Sequence, residues 1–303
     1  MIQMVKKFFD YTELRTKITS VFTFFMTVAY LFYKKQPIHF KLTLLFFASM
    51  FLFDLTTTAI NNYVDSKTNG QILPFKWNTS FAVIIVLFLT SASLGLYLAY
   101  LTDIIVLLLG GLCFLCGVLY TYGPIPISRQ PLGEIFSGFF YGLLIPFILL
   151  YINMPKGTFF TFGFNLRTIS LNLQVLPVIS VLLLSVTPVC ATANIMLANN
   201  LCDLEKDILV KRYTLPYYLG RKALYVFAGL YYAAYAATVA MVLFKILSPI
   251  CLLSLLTIFF VQKNIVRFMK KQDKMETFIL AVRNFMIIMG TNTILIFISG
   301  LLA

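Results

Sequence analysis

Apolar residues run along this chain in stretches of about twenty, broken by short polar clusters, from near residue 18 to the C-terminus. A helix of a soluble domain is apolar along one stripe; a run that is apolar on every face belongs in lipid. The pattern predicts nine membrane-spanning helices, at about 18–33, 42–61, 79–101, 103–122, 134–152, 173–197, 222–244, 246–262 and 283–302. The fold class expected is therefore all-α: a polytopic membrane protein with its helices around a central cavity. A transmembrane β-barrel would show shorter segments of alternating polarity. The segment from Met1 to Lys17 is mixed and charged, and the apolar run after it is one of many, so no cleaved signal peptide is expected.

Polar residues inside these runs are few, which makes their spacing informative. Towards its end the second span carries Asp54, Thr58, Asn61, Asn62 and Asp65, steps that fall on one helical face. A polar stripe in a span faces the bundle interior or a cavity. Thr and Asn at such positions also serve as hydrogen-bonding contacts between helices. Asp54, near mid-span, needs a partner or a cavity. The sixth span repeats the design with Thr192, Asn199, Asp203 and Asp207 close to one face. Spans 2 and 6 run in the same direction in a nine-span topology, so both acidic ends emerge on one side. The similarity suggests a single domain, 1–303, of two pseudo-repeat halves, about 18–122 and 134–262, plus a final helix at 283–302.

Two further stretches carry chemistry. After Asp203, Glu205 and Asp207 come Lys211, Arg212, Arg221 and Lys222. Carboxylates followed by cations suit Mg²⁺ and the diphosphate it accompanies, although cations at a membrane boundary also arise from the positive-inside bias. Between spans 4 and 5, Tyr120-Thr121-Tyr122-Gly123-Pro124-Ile125-Pro126 breaks the helix, and Arg129 and Glu134 bring charge back to the boundary.

Composition refines this picture. The chain has 303 residues, 60% of them hydrophobic and 12% charged, with a formal net charge of +13. That charge first suggests nucleic acid. With the N-terminus inside, however, eighteen Lys and Arg residues (Lys17 among them) fall on the inner side and six on the outer. The positive-inside rule thus accounts for the charge, sets N-in and C-out, and removes the case for nucleic acid. The five cysteines are scattered, and Cys113 and Cys116 lie within an apolar run, as packing residues do. His39 is the sole histidine, so a histidine base is not expected.

The three stretches together resemble the UbiA superfamily of intramembrane aromatic prenyltransferases, most closely its 1,4-dihydroxy-2-naphthoate polyprenyltransferase branch. The matching residues are Asn61 and Asp65; Tyr120, Gly123, Pro124, Pro126, Gly133 and Glu134; and Asn199, Asn200, Asp203, Asp207, Lys211, Arg212, Thr214, Leu215, Leu219, Gly220 and Arg221. Asn62 stands where that family usually has an acid, Asn69 where a further aspartate is common, Cys202 where arginine is common and Val210 where glycine precedes the lysine, and Tyr213 is an insertion.

The resemblance implies a transferase with Mg²⁺ held by Asp65, Asp203 and Asp207, and Asp54 as a further carboxylate in reserve. Lys211 and Arg212 would neutralise the leaving diphosphate. Asn61, Asn62, Tyr120, Tyr122, Arg129, Glu134, Asn199 and Asn200 would contact substrate, and Tyr63, Tyr120 and Tyr122 would shield an allylic cation. The donor would be a polyprenyl diphosphate, the acceptor 1,4-dihydroxy-2-naphthoate or a similar aromatic, and the product demethylmenaquinone. The setting would be the lipid bilayer of the cytoplasmic membrane, with the active site toward the cytoplasm. Another aromatic or lipid acceptor, an organic-anion transporter and an inactive homologue remain alternative readings. Midplane charges on discontinuous helices would favour a transporter; here the acids cluster towards one face.

Overall fold

The computed structural model describes residues 2–68, 72–123, 126–164 and 167–302, and Asn69 and Pro124 lie outside them. In chain order the helices are α1 Ile2–Thr12, α2 Ile18–Tyr33, α3 Phe40–Thr68, α4 Trp77–Leu101, α5 Ile104–Thr121, α6 Gly133–Ser137, α7 Ile145–Asn153, α8 Val175–Cys202, α9 Leu204–Leu209, α10 Leu215–Leu219, α11 Lys222–Leu243, α12 Ile258–Lys270 and α13 Phe278–Leu302. A π-helical turn, Gly138–Leu144, joins α6 to α7. Short 3₁₀ segments cover Leu14–Lys17, Ile127–Arg129 and Pro249–Thr257.

Eight of the nine predicted segments fall largely on α- or π-helix; the other, 246–262, is mostly the 3₁₀ stretch Pro249–Thr257 running on into α12. Eight stretches are long and apolar enough to cross a membrane: Phe40–Lys67, Trp77–Leu101, Ile104–Thr121, Gly133–Asn153, Val175–Cys202, Lys222–Leu243, Pro249–Lys270 and Phe278–Leu302. The remaining one, α2, is apolar but has 16 residues. The protein is a predominantly helical, multi-pass membrane protein. Besides the short helices α9 and α10, the sequence pattern missed two elements. One is the charged helix α1. The other is an antiparallel hairpin, β1 Phe160–Phe164 with β2 Ile169–Leu173, in register from Phe160↔Leu173 to Phe164↔Ile169.

α3 and α8 are the longest helices, at 29 and 28 residues. At 1.5 Å per residue each is over 40 Å long, against a hydrocarbon core of about 30 Å. Both exceed the hydrocarbon thickness; the last turns of α3 carry Asn and Asp residues, and those of α8 carry Asn, with Asp203 at the cap.

The chain forms two compact units. They cut across the expected halves: the first contains Met1–Val21, Phe40–Gly133 and Leu204–Tyr218, the second Phe22–His39, Glu134–Asp203 and Leu219–Ala303. Helix α2 mostly belongs to the second unit because its aromatic face packs on α13. Phe22 meets Phe285 edge-on at 6.0 Å, and Phe32 stacks on Phe297 at 5.1 Å.

In the first unit α3 packs along α4, with α1 tied to both. The Tyr11 hydroxyl donates to the Ala59 carbonyl at 3.0 Å and the Ser80 carbonyl at 3.4 Å, among Ala59 and Ile84. Lys17 is buried, not a surface charge as its place in the sequence suggested. Its Nζ lies 2.9 Å from Asp54 Oδ1, donates to the Asp54 carbonyl at 2.9 Å and also reaches Thr58 Oγ1. Ser20 donates to the other Asp54 oxygen at 2.6 Å. Asp54 is thus a structural anion, and the expectation of it as a reserve metal donor is corrected. A buried acid is tolerated when paired and hydrogen-bonded in this way.

In the second unit the π turn lies against α8. A Cβ on Gly142 would come within 2.3 Å of the Val189 backbone nitrogen, and one on Gly138 would meet the Val189 carbonyl at 3.1 Å. Only glycine permits this approach. It sets an antiparallel register in which 142 meets 189 and, further along, Glu134 meets Asn200. Phe227 of α11 stacks on Phe268 of α12 at 4.5 Å and completes that core.

Candidate active site

The polar stripe on α3 divides according to its partners. Asp54 and Thr58 hold Lys17. Asn62, buried, donates from Nδ2 to the Tyr11 carbonyl at 2.9 Å and to Glu13 Oε1 at 3.2 Å, so it secures the N-terminal segment. Asn61 and Asp65 face elsewhere. Asn61 Nδ2 donates to Asp65 Oδ2 at 3.2 Å, and Asn61 Oδ1 accepts from Thr121 Oγ1, at the end of α5, at 3.3 Å.

Two arginines present their charge to Asp65, Arg212 more strongly than Arg129; Glu13 opposes them. Arg212 is fixed by its own contacts. Its Nε donates to the Ser128 carbonyl at 2.8 Å, and its guanidinium lies 3.7 Å from Asp207 Oδ1. Its backbone N–H returns to the Asp207 carbonyl at 2.8 Å, and the Tyr213 N–H donates to the Arg129 carbonyl at 3.1 Å. Lys211 makes the turn possible. Its φ of 56° is left-handed, a conformation costing an L-residue roughly 1–2 kcal/mol. Asp65, the 127–129 turn and the segment from Asp207 to Tyr213 thereby converge within one unit.

The second unit orders its own polar group. Glu134 is buried and accepts from Asn200 Nδ2 at 2.9 Å. Lys274, from the turn between α12 and α13, lies 2.5 Å from Asp203 Oδ2 and also donates to Asn199 Oδ1. It stands over the Phe278 ring at 5.0 Å. The sequence offered no sign of this role for Lys274, which counted only as an inner-loop charge.

One expectation about the sixth span needs correction. Helix α8 stops at Cys202, Asp203 sits at its C-cap with φ −100° and ψ 6°, and Asp207 rides on the separate helix α9. Asp203 and Asp207 are thus not successive turns of one helix; the first belongs to the second unit and the second to the first. Among the tyrosines, Tyr120 is half-buried at the end of α5, while Tyr122 is 66% exposed. Tyr63 does not join the Asn61–Asp65 face. It packs edge-on against Trp77 at 4.9 Å, with Lys67 over both rings. Arg221 and Lys222 are exposed.

Among the described residues no three His, Cys, Asp or Glu side chains gather into a metal cage. The first unit instead offers Asp65, with the Asn61 amide beside it, and Asp207 next to Arg212. Such a donor set fits Mg²⁺, which keeps several waters and binds through one or two carboxylates together with substrate phosphates. It fits a metal that arrives with its anion.

Comparison with known proteins identifies the family and the fold. The model of the UbiA prenyltransferase family matches residues 21–288. A 1,4-dihydroxy-2-naphthoate octaprenyltransferase of Bacillus subtilis (strain 168) is 28% identical over 236 residues, covering 74% of this chain and 69% of that protein. Among solved structures, digeranylgeranylglyceryl phosphate synthase superposes with a TM-score of 0.65 at 19% identity, over all of both chains. A UbiA homolog from Archaeoglobus fulgidus, bound to GPP and Mg²⁺, superposes with a TM-score of 0.63 at 12% identity, over 98% of each chain. These structures establish the fold. The match of the family model over most of the chain establishes membership: the chain belongs to the UbiA prenyltransferase family.

Proposed function

We propose that this prenyltransferase moves a polyprenyl group from a polyprenyl diphosphate to 1,4-dihydroxy-2-naphthoate with loss of carbon dioxide and diphosphate, giving demethylmenaquinol, the two-electron-reduced form of demethylmenaquinone. In this reading residues 1–303 form one transferase domain in the cytoplasmic membrane, with its active site toward the cytoplasm. The observation that carries it is the Arg212–Asp207 pair at 3.7 Å in the same unit as Asp65, which lies within the electrostatic reach of Arg212 and Arg129. The acceptor rests on the B. subtilis relative and on the Tyr120, Gly123, Pro126, Gly133 and Glu134 matches in the middle stretch.

Asp65, Asp207 and Asp203 are the carboxylates assigned to Mg²⁺. When bound, Mg²⁺ supplies charge neutralisation on the diphosphate oxygens. Arg212, Arg129 and Lys211 take up the negative charge that grows on the diphosphate as the allylic carbon–oxygen bond breaks and its electron pair leaves with the diphosphate. The ring carbon that bears the carboxylate then attacks the allylic cation. The bond to the carboxylate breaks, its electrons return to the ring, and carbon dioxide departs. No side chain has to remove a proton from the ring in that step. Asn61, Asn199, Asn200, Glu134, Tyr120 and Tyr122 are assigned to substrate contact. Asn62 is assigned to holding the N-terminal segment beside the site.

The test is an assay in membranes with 1,4-dihydroxy-2-naphthoate and a polyprenyl diphosphate, with and without Mg²⁺, read by mass spectrometry. The expected result is Mg²⁺-dependent demethylmenaquinol, detected as demethylmenaquinone after air oxidation. No product from folded protein beside active control membranes would reject this donor–acceptor pair. Prenylation of 4-hydroxybenzoate in its place would move the acceptor and keep the transferase.

A further inference from the structure

A groove formed by α12 and α13 has no part in the reaction above. Lys263 and Arg267 lie one turn apart on α12, and Arg283 lies on α13. With Asn264, Phe260 and Met286 they line an open groove of about 380 Å³. All three cations are exposed, and so are the apolar lips, Phe260 at 64% and Met286 at 47%.

The groove lacks an anion of its own. Among the described residues no carboxylate lies within ion-pair range of Lys263, Arg267 or Arg283. The acids of the adjoining turn are engaged by other lysines: Lys271 lies 2.7 Å from Glu276 and 3.9 Å from Asp273. The Asn264 amide nitrogen is donated to Asn284 at 2.8 Å.

Depth identifies what fills it. α12 ends at Lys270 and α13 begins at Phe278, and both belong to membrane-spanning stretches. At 1.5 Å per residue, Arg267, Arg283 and Lys263 sit roughly 5, 8 and 10 Å inside the helix ends. With the helix ends at the outer edge of the headgroup layer, that depth is where headgroups give way to acyl chains, since the polar layers add about 5–7 Å to each side of the hydrocarbon. Cations at such depth are costly unless paired. Long side chains this near the helix ends carry their charge toward the headgroup layer, where a lipid phosphate is the available counter-charge.

We propose that this groove is a binding site for an anionic glycerophospholipid. Lys263, Arg267 and Arg283 hold its phosphodiester, and its acyl chains lie along Phe260 and Met286. Basic pockets between transmembrane helices are a recurrent solution for anionic headgroups.

The experiment uses the purified full-length protein and native mass spectrometry. Palmitoyl-oleoyl phosphatidylglycerol is offered against the matching phosphatidylcholine, with inorganic phosphate as a competitor. The expected result is retention of phosphatidylglycerol over phosphatidylcholine. The variant Lys263→Gln/Arg267→Gln/Arg283→Gln loses that preference, at roughly fivefold per charge removed. The control Lys270→Gln/Lys271→Gln keeps it, and millimolar phosphate does not displace the lipid. Equal retention of the two lipids by the unaltered protein would overturn the site, as would undiminished preference in the triple variant or displacement by free phosphate. If the triple variant fails to fold, the single variant Arg267→Gln decides by the same readout. No prenyl substrate is present, so the outcome is independent of the acceptor and of activity.

Discussion

Helices α3 and α8 carry the same pattern, a long apolar run ending in Asn and Asp, yet their polar residues have different partners. On α3, Asp54 is consumed by the buried Lys17 and Ser20, and Asn62 by Tyr11 and Glu13. Asp65, with Asn61 bonded beside it, lies instead within the electrostatic reach of Arg212 and Arg129. On α8, Asn200 is committed to Glu134, whereas Asn199 and Asp203 share one lysine from a distant turn. The two helices show that stripe position does not assign a role. The partner separates these residues: Asp54 and Asn62 are held by buried groups within the fold, whereas Asp203 is paired with the half-exposed Lys274 and Asp65 feels the charge of Arg212.

The largest effect that would break this distinction lies at Lys17. Lys17→Met leaves Asp54 buried and uncompensated, which is expected to cost about 3–5 kcal/mol. Replacing both partners, Lys17→Met/Asp54→Leu, is expected to restore most of that loss, because an apolar pair needs no counter-charge. Thermal unfolding in detergent reads the stability, and turnover per folded molecule should stay near the unaltered value. A turnover loss in the double variant at full stability would return Asp54 to the site.

Next comes Asp65, on the other side of the same stripe. Asp65→Asn and Asp207→Asn are each expected to lower kcat by about 10²–10³, the scale of one preorganised electrostatic contact. Melting should shift by only a few degrees. Turnover by both variants at the unaltered rate would remove the proposed carboxylates from the chemistry.

The nine apolar segments were legible because a span must be apolar on all faces over about twenty residues. Helix α1 was not, because an eleven-residue charged helix depends on Tyr11 finding the Ala59 and Ser80 carbonyls. The Lys17–Asp54 pair was hidden for a similar reason: periodicity shows that Asp54 needs a partner but not which cation 37 positions away supplies it. Asp207 was misplaced on a continuous α8 because helical spacing reads the same whether or not the helix stops at Cys202. The family motifs pointed to Arg212 and Asp207, while Lys274 lies 71 residues from Asp203 with nothing local to mark it.

Lys274 sharpens the comparison from the α8 side. An ammonium already on Asp203 competes with any metal that uses the same oxygen. Lys274→Met is expected to lower the Mg²⁺ concentration for half-maximal activity by roughly two- to fivefold, the worth of a partly exposed ion pair. An unchanged Mg²⁺ requirement with a large fall in kcat would instead place Lys274 on the substrate diphosphate.

The smallest effect is expected at Arg221, which matches the family motif as Arg212 does but is exposed at the start of α11. Arg212 is held by the Ser128 carbonyl and Asp207, so its guanidinium is already oriented before an anion arrives. Arg221 has no such contact among the described residues, and an unoriented surface cation must give up side-chain freedom to bind. Arg221→Gln should therefore change kcat/KM by less than about threefold and stability by within about 0.5 kcal/mol. Arg212→Gln should cost about a hundredfold in kcat/KM. Measured side by side at equal expression, a reversed order would show that the diphosphate is received at the start of α11 and that the ordered cluster beside Asp65 serves the fold alone.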